Sequence, residues 1–205
     1  FGNPVGNEKG WNTFKLDEIA SKIGSGATPR GGKQSYQDEG ISLIGSKNVY
    51  NGEFRYDELA HIDNEQARFL NNVVVKEDDV LINITGASVA RSCIVPKDVL
   101  PARVNQHVSI VRVGNDCLIP AYLNNVIISD SYQANLLNIA GTGGATREAI
   151  TKQQLQELEI PVPPIDTQQR FAHIKTNIED QKSLVRKALD EIQYLFDSLM
   201  SRYFD

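Results

Sequence analysis

The C-terminal quarter of the chain carries the clearest alternation of apolar and polar positions. Phe171, Ile178, Val185, Ile192 and Leu199 recur every seven residues, Ile174, Ala188 and Leu195 fill the paired positions, and Gln181 and Arg202 interrupt the stripe. A sustained seven-residue repeat predicts a helix with one apolar seam. No Gly or Pro lies between Thr167 and Phe204, so the helix should run unbroken for about 38 residues, or about 57 Å at 1.5 Å per residue. Asp166, with Gln169 three residues on, has the spacing of an N-terminal capping box. A seam longer than a small domain is expected to be covered by a partner helix. The alternative is a helix folded back over its own domain.

The preceding residues show shorter periods. Ile41–Gly45, Asp79–Thr85, Ser92–Val95 and His107–Val113 are β-branched or alternating runs bounded by Gly, Pro, Asn and Asp, and they predict strands. Leu16–Ile23 and Pro120–Ile139 have helical spacing, the second with Pro120 in a first-turn position. Pro161-Val162-Pro163-Pro164 should neither continue a strand ladder nor start inside a helix. The predicted architecture is α+β: a mixed-strand domain over residues 1–163, then one long helix over residues 164–205.

Composition narrows the function classes. A chain of 205 residues with 40 % hydrophobic and 23 % charged residues suits a soluble globular protein, and every apolar run is far shorter than the ~20 residues of a membrane helix. The start, FGNPVGNEKGW, lacks the basic and apolar regions of an export signal. Cys93 and Cys117 have no Cys or His at metal-ligand spacing and read as reduced thiols of a cytoplasmic protein, with no metal site and no cofactor. The formal charge of −5 argues against a nucleic-acid partner if taken whole. Its distribution changes that, because residues 53–79 hold eight acidic side chains against three basic ones, while residues 1–52 and 80–152 are each slightly basic.

The stretch GSGATPRGGK, Gly24–Lys33, raises the possibility of a phosphate loop. In a Walker A loop four residues separate the first glycine from Gly-Lys-Ser/Thr; here five follow Gly26 before Gly32-Lys33, and Gln34 stands where the hydroxyl should be. The dinucleotide pattern G-x-G-x-x-G fails as well, at Pro29 and Arg30. A nucleotide-binding enzyme using the glycine-rich loops remains an alternative, as does a coiled-coil scaffold.

Several pieces taken in order point elsewhere: KLDEIASKIGSGATP, ISLIGSKNV, DDVLINITGASVAR, VNQHVSIVRV and LEIPVPPIDTQQRF. No single one is specific, but together they span nearly the whole chain, and with them the chain resembles the specificity subunit of type I restriction-modification systems. The resemblance implies a non-catalytic protein in which target-recognition domains alternate with long helices, each domain reading one half of a bipartite double-stranded DNA site. It implies modification subunits, which bind S-adenosylmethionine and methylate adenine, and a restriction subunit, which uses ATP. The chain looks like one repeat unit where a full-length member carries two, so its seam should form a homodimer through Phe171, Ile174, Ile178, Val185, Ile192, Leu195 and Leu199. The methyltransferase Asn-Pro-Pro-Tyr motif is absent, Asn3-Pro4-Val5-Gly6 being nearest.

In that context Thr28, Arg30 and Lys33 suit contacts to duplex phosphates. Ser46, Lys47 and Asn48 follow a strand and could reach base edges, or Asn48 could cap the turn. Arg91, in the loop after Thr85-Gly86-Ala87-Ser88, could touch the backbone. Asn105 and Gln106 have amides that can pair two-pronged with adenine, and Arg103 and His107 can donate to guanine or phosphate. The competing reading has Asn105–His107 anchoring a strand inside the domain. Gly143 and Arg147, in AGTGGATR, are divided between phosphate contact and a connector. His61 and His173 read as solvated.

Overall fold

The computed structural model describes residues 2–114, 116–141 and 148–204. They divide into two compact units, Phe1–Ile165 and Asp166–Asp205. The first unit runs β1 (Asn12–Lys15), α1 (Leu16–Ile19), β2 (Ala20–Ser25), β3 (Ile41–Ile44), β4 (Val49–Tyr50), β5 (Glu53–Phe54), β6 (Ala60–Ile62), α2 (Asn64–Phe69), β7 (Val80–Asn83), β8 (Ser92–Ile94), β9 (Ala102–Val104), β10 (Val108–Val113), α3 (Pro120–Ile128), α4 (Asp130–Gly141), α5 (Lys152–Gln156) and β11 (Glu159–Val162). The second is the helix α6 (Ile165–Phe204), whose first residue still groups with the first unit.

The largest sheet has the strand order β2-β10-β7-β8, all antiparallel. Its middle strand β10 buries Val108, Ser109, Ile110 and Val111, as a strand covered on both faces must. A second sheet, β6-β3-β9, pairs β3 with β9 in parallel and with β6 antiparallel. One apolar cluster joins the two sheets, with Leu43, Ile44, Leu81, Val104, Val108 and Ile110 near its centre. Where β7 begins beside the end of β10, Arg112 donates from Nε to Oδ1 of the fully buried Asp79 at 2.7 Å and from Nη2 to Oδ2 at 2.8 Å, a two-pronged geometry that offsets the desolvation of both groups.

Three sequence expectations are corrected. The helix over Leu16–Ile23 stops at Ile19, and Ala20–Ser25 instead pairs with β10; Ile19 and Ile23 satisfy a helical spacing and an alternating one equally, and the sheet edge decides. The helix over Pro120–Ile139 breaks at Ser129, whose ψ of 145° is extended and whose hydroxyl donates to Val126 O. The Gln133 side chain caps the freed Ile127 carbonyl at 2.8 Å and reaches Ala90 O. Pro161 does sit in a ladder, opposite Thr13 in the two-stranded sheet β1-β11. A two-stranded sheet is all edge, so the missing N–H costs nothing there, while Pro161 O accepts from Tyr122 Oη at 3.0 Å.

Helix α6 is unbroken over its 40 residues, about 60 Å long. It begins at Ile165, so Asp166 lies in the first turn, where its charge suits the helix dipole, and not at the cap. Among the described residues no helix is long and apolar enough to cross a membrane.

Candidate nucleic-acid interface

Topology gathers most of the candidate residues at one end of the sheets. Strands β2 and β7 run antiparallel to β10, so their C-terminal ends lie beside its N-terminal end; β9 leads into β10 through Asn105–His107, and β3 is parallel to β9. The loops after β2, β3, β7 and β9 therefore emerge together. They are stitched by backbone bonds from Gly26 N to Asn105 O at 3.1 Å, Asn105 N to Ile44 O at 3.0 Å and Ile84 N to His107 O at 2.9 Å.

The loop after β2 is not a nucleotide cradle. It passes into a single 3₁₀ turn, Gly32–Ser35, entered through Gly31 in the left-handed region at φ 85°, where a phosphate loop would lead into a full helix. Thr28, Arg30 and Lys33 are exposed on it. Arg30 is fixed from two sides: its backbone N–H and C=O both bond the side-chain amide of Gln66 at 3.1 Å, and its guanidinium lies 4.4 Å from the centre of the Phe69 ring. Gln66 and Phe69 stand on α2, within the acid-rich segment, and the sequence reading missed both.

In the loop after β3, Ser46 is half-buried and Lys47 exposed, with its ammonium hydrogen-bonded to Glu58. That bond and the Lys47 charge hold the Glu58 carboxyl below the usual carboxylate range, and the charge of Lys33 adds a smaller effect in the same direction. Asn48 is 2 % exposed and spent on the turn: Oδ1 accepts from Gly45 N at 3.0 Å and Nδ2 donates to Arg55 O at 2.9 Å and Asp57 O at 3.2 Å. Beneath it the buried Asn83 donates to Ser46 O and Val49 O.

Arg103 is likewise turned inward. Its guanidinium donates to Ala67 O, Ala102 O and Asn71 Oδ1 at 3.0–3.3 Å, and desolvation lowers its pKa. Asn105 Oδ1 accepts from His107 N at 2.9 Å, closing an Asx turn. The candidate side chains of RVNQH, Arg103–His107, therefore part company, because of these only Gln106 and His107 line a cleft of about 540 Å³ with Ser46, Thr85, Ser88 and Arg91. The Arg91 guanidinium stacks 4.4 Å from the Tyr50 ring, and Arg55 lies 3.6 Å from the same ring. Tyr50 and Arg55 also escaped the sequence reading, although Asn51-Gly52 between them is a strong hairpin signal and β4 and β5 do form that hairpin. Gly143 and Arg147 lie outside the described residues. No cluster among the described residues could hold a metal ion.

Basic side chains, amides and hydroxyls thus gather on loops stitched together at one end of the sheets. The family model for the type I restriction modification DNA specificity domain matches residues 8–194, and the chain belongs to that family. Among solved structures it is similar to the HsdS subunit of Thermoanaerobacter tengcongensis, at 20 % identity and TM-score 0.60 over 88 % of this chain and 40 % of that one. It is similar too to the type I restriction-modification S subunit of M. genitalium, at 13 % identity and TM-score 0.60 over 96 % and 46 %. A chain from a study of assembly and conformational transition of the type I R-M system shares 21 % identity with TM-score 0.61 over 93 % and 43 %. The chain thus spans less than half the length of each of these structures.

Proposed function

We propose that this chain is a sequence-specific double-stranded DNA reader, the specificity component of a type I restriction-modification enzyme working in the cytoplasm, with residues 1–163 recognising one half-site. It performs no chemistry itself. Modification subunits methylate adenine, and a restriction subunit cleaves, where this chain docks them on a bipartite site. The observation that carries the reading is the convergence of four strand-end loops bearing Arg30, Lys33, Lys47, Arg91 and Gln106, within a chain whose family is that of DNA specificity domains. Phosphate contacts come from Thr28, Arg30, Lys33, Lys47 and Arg91, and base contacts from Ser46 and Gln106. Asn48, Arg103 and Asn105 hold the loops in shape.

The helix spaces two such domains by pairing with a second copy of itself. Ile178, Val185, Ile192, Leu195 and Leu199 are between 45 % and 62 % exposed, an apolar stripe that supports pairing by an antiparallel coiled coil and a two-fold symmetric, interrupted target. The test is selection from a random duplex library by the purified chain. An enriched interrupted motif supports the reading; retention of duplexes without base preference, or no salt-dependent retention, contradicts it.

A further inference from the structure

Three side chains in the cleft form a chain of hydrogen bonds that the general reading does not use. Thr85 Oγ1 lies 2.6 Å from His107 Nδ1, and His107 Nε2 lies 2.8 Å from Gln106 Nε2. Thr85 is held by a bridge to Ala149, and His107 by its bonds to Asn105 Oδ1 and Ile84 N. The His107 backbone is therefore fixed and Thr85 meets one ring nitrogen, while the Gln106 amide meets the other.

A neutral imidazole has one N–H donor and one acceptor nitrogen. With the Gln106 amide donating to Nε2, the imidazole proton sits on Nδ1 and is donated to Thr85 Oγ1. The amide is left with its oxygen and its second N–H, an acceptor beside a donor, which matches the N6 amino group and N7 of adenine in the major groove. The reverse amide would keep one lone pair on its oxygen while both N–H donors stayed free, so acceptor and donor would exchange places along the groove, and it would require the proton on Nε2 with the Thr85 hydroxyl donating to Nδ1. Asn105 offers no such choice, because its oxygen is already held by His107 N.

We propose, resting on the DNA-reading function above, that Gln106 is the residue that selects adenine at one position of each half-site, with His107 and Thr85 as positioning residues that fix the direction of its amide. The experiment remakes the duplex enriched by this chain with 7-deazaadenine at each adenine in turn, which deletes N7 and needs no altered protein. The unmodified chain should lose about 5- to 150-fold in affinity at one adenine per half-site. Gln106→Ala should be insensitive to that replacement, Thr85→Val should relax the preference, and Thr85→Ser, which restores the hydroxyl, should recover it. A motif whose adenines all tolerate the replacement, sensitivity to 7-deazaguanine alone, or a Gln106→Ala variant still sensitive at the same adenine overturns the assignment and leaves DNA reading standing. A chain that enriches no motif removes both.

Discussion

Gly26 and Val104 approach so closely that a Cβ on Gly26 would lie 1.7 Å from the Val104 carbonyl oxygen. Only a hydrogen fits between the loop leaving β2 and the strand that feeds Asn105–His107. Gly26→Ala should therefore push the glycine-rich loop, with its proposed phosphate contacts, away from the cleft proposed to read bases. We expect a loss of about 1–3 kcal/mol in urea unfolding, the cost of overpacking, together with weaker duplex binding. Gly24→Ala, where a Cβ meets nothing within 4 Å, serves as the control and should cost much less. Equal stability and affinity in the two variants would remove this contact from the account.

Replacing Arg30 and Lys33 by Ala should weaken binding to every duplex alike and flatten the dependence of log affinity on log salt by nearly 2, because each phosphate contact contributes about 0.9 to the slope. Arg30 is exposed, its guanidinium lies over Phe69 and its backbone bonds to the Gln66 amide are kept by Ala, so the fold should survive. An unchanged slope would take this loop off the DNA.

Glu58 points the other way. Its carboxylate occupies Lys47 and lies close enough to Lys33 to feel its charge. Its pKa is depressed, so it stays ionised at neutral pH and loses that charge only as the pH falls below the ordinary carboxylate range. Glu58→Gln should tighten sequence-independent duplex binding with the salt slope little changed, since Lys47 no longer has to leave a carboxylate to reach its phosphate. The same tightening should appear in the unmodified chain on acidification. A variant with weaker binding would show that the carboxylate helps to present Lys47.

Much of this was legible beforehand, and the failures have physical causes. The heptad of α6 and the cores of β3, β7, β8 and β10 followed from periodicity, because one long seam and a few doubly buried strands leave little ambiguity. The short strands were not, since β1 and β11 draw their stability from each other across most of the chain, while β4 and β5, two residues each, are too short to show an alternation and only their Asn51-Gly52 turn was readable. Within the site, Arg30, Lys33 and Lys47 were findable as basic groups on glycine-rich or strand-end loops. The sequence could not tell Arg103 from Arg91, or Asn105 from Gln106. Which of each pair turns inward depends on Asn71 and Ala67 reaching Arg103 and on the Asx turn at Asn105. Tyr50, Arg55, Gln66 and Phe69 lay in or beside the acidic segment, where net charge hid them.

The helix seam makes its own prediction. Val185→Glu with Ile192→Glu places two charges on the exposed stripe, where both parent residues are about 60 % exposed, so the monomer should fold normally. Light scattering should report monomers in place of dimers, and affinity for the interrupted site should fall by about 10²–10⁴ as bivalency is lost, while the affinity for a half-site stays the same. An unmodified chain that is monomeric with its helix intact would assign the seam to another partner.

The most direct measurement of the central claim is a map of methylated adenine in the DNA of cells that contain the modification subunit, with and without this chain. The account predicts that methylation appears at one interrupted, two-fold symmetric sequence only when the chain is present, and that Gln106→Ala alters the methylated sequence. Methylation that is absent, or identical with and without the chain, would contradict it.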